Sequence, residues 1–125
     1  MATVITSKGE HWVTTRMIEV TGSDSTDGRW IGWGTGAGTA DKADTELFTE
    51  ATESRVAGAV TVEGTGSAAS YQVVGTITAD GTKTITNAGN FDASSSGTLI
   101  VHGDFTDINV DASDQVEFTI QINPA

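Results

Sequence analysis

The sequence predicts an all-β domain, an antiparallel β-sandwich or jelly-roll-like fold, and three observations carry that expectation. Hydrophobic residues make up 37% and charged residues 18%, with Thr, Ser and Gly abundant, the profile of a strand-forming chain with a small-residue surface. Apolar residues recur at every second position in several short runs, most clearly Val116, Phe118, Ile120 and Ile122 against Gln115, Glu117, Thr119 and Gln121. Turn-rich stretches separate these runs at near-regular spacing, giving about seven or eight strands.

Taken in order, residues 1–10 are polar and poor in strand pattern, and read as an extended arm able to add to a neighbour's sheet. Residues 11–125 form the single domain. Trp12 to Val20 reads as a strand whose apolar face Thr14 and Arg16 interrupt, and Gly22 to Gly28 as a loop. A strand carrying Trp30 runs into glycines at 32, 34, 36 and 38. Trp30 and Trp33 cannot share one face of a regular strand, so one is pushed outward or a bulge intervenes. One short helical turn is expected near 44–53, with Asp41 or Asp44 as cap and Leu47, Phe48 and Ala51 facing the core.

Arg55 to Thr65 follows as a strand with Val56, Gly58, Val60 and Val62 in phase, then a loop over Gly64 to Ser70. Tyr71, Val73, Gly75 and Ile77 mark the next strand, which reaches Asp80-Gly81, a pair suited to the positive φ of a two-residue hairpin turn. After the hairpin partner Thr82 to Thr86, residues Asn87 to Gly97 read as a loop. Leu99, Val101, Gly103 and Phe105 then face one way, Ile100, His102 and Asp104 the other. The sole proline, Pro124, follows the last strand and interrupts nothing.

Composition narrows the function. A chain of 125 residues is large enough for one core without staples, and with no cysteine it has no disulfides. A net charge of −11 excludes an electrostatic grip on nucleic acid or on an anionic membrane. No apolar run approaches the ~20 residues of a membrane span, and the start lacks the order of a signal peptide, so the product is expected in the cytoplasm where it is made.

The catalytic motifs fail on context. Gly32-Trp33-Gly34-Thr35-Gly36-Ala37 satisfies a loose dinucleotide fingerprint, but no helix begins at once to present its N–H groups to a pyrophosphate, and no cofactor is expected. Asp107, Asn109 and Asp111 alternate as at the start of a calcium loop, yet Ala112 stands where such a loop needs glycine, and Ile108 and Val110 fit the buried face of a strand. His11 and His102 are the only histidines. A hydrolase would have to pair His102 with a loop carboxylate, and no nucleophile elbow accompanies it. Paired carboxylates of a glycosidase have little room in so small a sandwich. The remaining candidates are anchors for a partner: His11, Trp12, Trp30 and Trp33, since tryptophan is enriched where interfaces concentrate their energy.

The phrases I-G-W-G-T-G-A-G-T-A, D-T-E-L-F-T-E, T-I-T-N-A-G-N-F-D-A, L-I-V-H-G-D-F and Q-V-E-F-T-I-Q-I, in this order from about Trp30 to Ile122, give the chain a family likeness. It resembles small β-rich virion proteins of tailed bacteriophages, particularly capsid decoration (cement) proteins, with similar phrases in tail and fibre proteins. The resemblance implies a non-enzymatic homo-trimer or other homo-oligomer on the outer capsid surface, bound to the major capsid protein and made in the host bacterial cytoplasm. The alternative is a tail or fibre module that binds a host-surface glycan through Trp30 or Trp33.

Overall fold

The computed structural model describes residues 3–9, 28–63 and 70–122. The strand expected over Trp12 to Val20, together with His11 and Trp12, lies outside the described residues. The protein is a β-sandwich of eight described strands in two antiparallel sheets. These are β1 (Thr3–Ile5), β2 (Trp30–Gly34), β3 (Val56–Ala57), β4 (Ala59–Glu63), β5 (Ser70–Thr78), β6 (Lys83–Phe91), β7 (Leu99–Val110) and β8 (Gln115–Ile122). The larger sheet has the order β1-β7-β6-β2-β3 and the smaller β4-β5-β8.

Alternation in the sequence sets the core. Ile31 and Trp33 from β2, Ile85 and Ala88 from β6, Val110 from β7 and Val73 and Ile77 from β5 meet between the sheets, all buried. Val116, Phe118 and Ile120 of β8 close over them, as the alternation of that strand predicts, with the intervening polar residues exposed. Trp33 stacks edge-on against Phe118, with ring centroids 6.2 Å apart.

Among the described residues, the chain passes from one sheet to the other three times. Between β3 and β4 a single residue, Gly58, makes the crossing, so the expected strand over Arg55 to Thr65 is divided between layers. Its N–H continues the ladder to the Arg29 carbonyl at 2.7 Å, while any Cβ there would stand 2.5 Å from the Val73 side chain. Only glycine fits so close a passage.

Asp80-Gly81 is the second crossing, not a hairpin. β5 pairs with β4 and β8, whereas β6 pairs with β2 and β7. The turn signal is overridden by contacts across the corner. Ala79 exchanges backbone hydrogen bonds with the third crossing at 111–114, donating to Asp114 and accepting from Ser113. Gly81 is not among the residues with positive φ, so the property that suggested a hairpin goes unused.

Residues 87–91, expected as loop, are the buried end of β6. Register shifts flank them at Ile85/Asn87 and Asn90/Phe91, and the two asparagines fill those irregularities. Asn90 Oδ1 accepts the Val101 N–H and its Nδ2 donates to the Gly28 carbonyl, supplying bonds the ladder would otherwise lack. The shift beside Asn87 also inverts the alternation of β7, which turns Ile108 and Val110 inward and leaves Asn109 exposed.

The short helical turn lies at residues 7–9, not near 44–53. There the chain instead folds back along β2: Thr35 and Gly36 donate to the carbonyls of Thr49 and Phe48, and Ala51 donates to Trp33. A helix would need the Phe48 N–H and carbonyl for its own ladder. Both are taken, by Asn87 Oδ1 and Nδ2 as well as by Gly36. This segment is a strap over the outer face of the larger sheet. Its Leu47 packs with Phe91, Leu99 and Trp30 in a second apolar cluster.

The extended arm expected at the start takes a place in the chain's own sheet. Thr3–Ile5 pairs antiparallel with β7, Thr3 opposite Gly103 and Ile5 opposite Val101. Thr6, fully buried, donates to the Leu99 carbonyl and accepts the Gly9 N–H at 2.9 Å, fixing the turn that follows.

Candidate interaction surface

Among the described residues, the charged groups with the most developed surroundings fasten the fold rather than face a cleft. Glu53 lies at one end of the core. Its Oε1 accepts the Trp33 indole N–H at 2.9 Å, and its Oε2 accepts the Asp80 N–H at 3.0 Å and faces Lys83 Nζ at 2.6 Å. Burial alone would raise the Glu53 carboxyl. The Lys83 ammonium and the two N–H donors outweigh it and hold the group at about 2, below its usual 4.5. Lys83 is pushed up in turn, by Asp80 first and Glu53 second. Asp80 also accepts from Thr52, so the whole corner between β5 and β6 is tied to the strap.

Arg55 does the same work for the loop at 92–97. It forms a two-pronged pair with Glu50, donates to the carbonyls of Ala93 and Ser96, and lies 3.4 Å above the centre of the Phe91 ring.

His102, placed by the sequence on one strand face with Ile100 and Asp104, is fully buried beneath the strap. Its Nδ1 lies 2.7 Å from Asp44 Oδ2 and its Nε2 3.0 Å from Asn87 Oδ1, with the Phe48 ring 4.6 Å away. The carboxylate orients the ring as in a hydrolase. The far nitrogen, however, meets an amide where a general base would meet a nucleophile, and the ring is 0% exposed. Nothing in the sequence pointed to Asp44 as its partner, 58 residues away.

The alternating carboxylates do not converge. Asp107 and Asn109 lie along β7 and Asp111 just past its end, so the outer two are about 13 Å apart at strand rise, too far to share an ion at ~2.4 Å. Asn109 instead accepts from Thr84, and Asp111 from Thr82. Among the described residues no group of three or more His, Asp or Glu side chains is placed to hold a metal. No described helix is long and apolar enough to cross a membrane.

Of the aromatic anchors, Trp33 is corrected by its position: at 1% exposure it is core and presents nothing to a partner. Trp30 lies on the opposite face of β2, as the spacing required, and is half-buried against the second cluster. Accessible apolar surface occurs elsewhere, at the margin of the sandwich. β8 ends the smaller sheet and is paired, among the described strands, with β5 alone. Beside it opens a crevice of about 180 Å³ lined by Thr3, Gly103, Phe105, Phe118 and Ile120 among others. That is below the ~300–1,000 Å³ of small-molecule sites and nearer the size of a partner's side chain.

No protein family, no curated protein and no solved structure matches the chain.

Proposed function

We propose that the protein is a non-enzymatic virion structural protein, a bacteriophage decoration (cement) protein that binds the assembled capsid from outside and stabilises it. The observation that carries this reading is the margin of the sandwich. β8, paired among the described strands with β5 alone, borders an apolar crevice sized for a side chain, and an extended segment of another protein laid along that margin would find a socket there. The conspicuous ionisable groups, by contrast, are engaged in holding the strap, corners and loops together. Resemblance of the phrases from Trp30 to Ile122 to phage decoration proteins supplies the partner, the major capsid protein, and a homo-trimer or other homo-oligomer as the bound form.

The net charge of −11 supports the same reading, keeping free copies apart until a complementary surface captures them. The glycan-binding alternative loses one of its two stacking residues, since Trp33 is enclosed. The test is direct. Purified protein added to undecorated, expanded shells is expected to co-sediment in hundreds of copies and raise their disruption temperature. Absence of binding to such shells, or recovery of only a few copies at the tail, overturns the proposal.

A further inference from the structure

Both ring nitrogens of His102 lie opposite oxygens that are already accepting. Asp44 Oδ2, 2.7 Å from Nδ1, also takes the Asp41 N–H at 2.8 Å. Asn87 Oδ1, 3.0 Å from Nε2, also takes the Phe48 N–H at 3.0 Å. The amide cannot be turned over. Its Nδ2 donates to the Phe48 carbonyl at 3.1 Å, and exchanging the two ends would set N–H against N–H and oxygen against oxygen. The two contacts of the ring are therefore both hydrogen bonds only when the His102–Asp44 pair holds two protons, wherever along the short contact the second one lies.

We propose that the strap is fastened by a proton. With that proton present, His102 bridges strap and sheet, Asp44 on one side and Asn87 on the other. Once it leaves, a bare nitrogen faces the Asn87 oxygen in a site that water does not reach, since His102 is 0% exposed. The strap around Asp44 and Phe48 then lifts more readily, uncovering the apolar cluster of Trp30, Leu47, Phe91 and Leu99. Among the described residues, the groups facing the ring are Asp44 and Phe48 from the strap, Asn87 and Gly89 from β6, and Val4 from β1. Asp44 alone of these is titratable; on β7 itself the next residue on that face is Asp104.

The seated strap binds up to one proton more than the lifted strap, with no difference at low pH where the lifted ring is protonated too, so seating weakens as pH rises above that range, by at most about tenfold per pH unit for one proton. Amide hydrogen exchange resolved by NMR tests this from about pH 5 to about pH 9, which spans the ordinary imidazole range. The Gly36, Asp44 and Phe48 amides, bonded to Phe48 O, Asp41 O and Asn87 Oδ1, report the strap, and Val73 and Ile85 the core. Strap protection relative to the core is expected to fall with rising pH in the wild type and to become flat in His102→Gln, which still donates and accepts but does not titrate. Strap protection that follows the core at every pH, or that keeps its pH dependence in His102→Gln, overturns the proposal. Ring ¹⁵N shifts of the wild type provide a reading independent of the variant: a bare Nε2 in the protected state, or an Nδ1 with no proton in its contact to Asp44, refutes it, and a protonated Nε2 with a second proton on Nδ1 or shared with Asp44 supports it.

Discussion

Replacing Glu53 with glutamine removes the ion pair at the end of the core with almost no change of shape. The carboxylate accepts three hydrogens, from Trp33, Asp80 and Lys83, on two oxygens. Glutamine has one oxygen and turns an N–H₂ toward a donor, which is also what a protonated Glu53 would do with its O–H. The displacement of the carboxyl from 4.5 to about 2 corresponds to about 3 kcal/mol if undiminished, and to about 1–2 kcal/mol once solvent screening at the rim is allowed for. Because the folded state lowers this acid, its stabilisation is complete above 4.5 and disappears as pH falls toward about 2. Urea unfolding of the wild type and Glu53→Gln, at neutral pH and again near the lower value, should show a gap of about 1–2 kcal/mol that closes on acidification. A gap of the same size at both pH values would mean that shape or hydrogen-bond number, and not charge, sets the contribution of Glu53.

Two further predictions concern backbone and packing. A Cβ on Gly36 would stand 2.9 Å from the Phe48 carbonyl carbon and 2.7 Å from Thr49 Oγ1, whereas one on Gly81 meets nothing within 4 Å. Thermal unfolding should therefore show Gly36→Ala destabilised by about 1–3 kcal/mol and Gly81→Ala unchanged or about 0.4–1 kcal/mol more stable. A loss at Gly81 matching that at Gly36 would contradict the corner described for Asp80-Gly81. Arg55→Lys keeps the charge but not the fork that reaches Glu50, Ala93 and Ser96 together; a loss of about 1–2 kcal/mol is expected, with faster proteolysis in the 92–97 loop. Unchanged cleavage would show that the loop is held by other means.

The elements legible in the sequence are those whose burial is one-sided. β8 alternates because one face meets the core and the other meets solvent, and the opposite placement of Trp30 and Trp33 followed from geometry alone. Buried polar groups hid the rest. Asn87 and Asn90 look like loop residues, yet they are enclosed because the strand is irregular beside them and their amides complete it. Asp80-Gly81 is a sound local turn signal overruled by ties from Glu53, Asp114 and Ser113, which come from distant parts of the chain. The strap shows the same limit, since the pull of Asn87 on Phe48 acts over 39 residues and leaves no periodic trace. His102 could be singled out as one of two histidines, but its partner could not.

The single-residue passage at Gly58 bears on how the molecule carries mechanical load. With further passages at 79–82 and 111–114, the two layers are joined by covalent backbone at three places among the described residues, as well as by side-chain packing. Tension applied to β2 or β6 reaches β5 and β8 through the chain itself, so neither layer slides away before its neighbour is loaded.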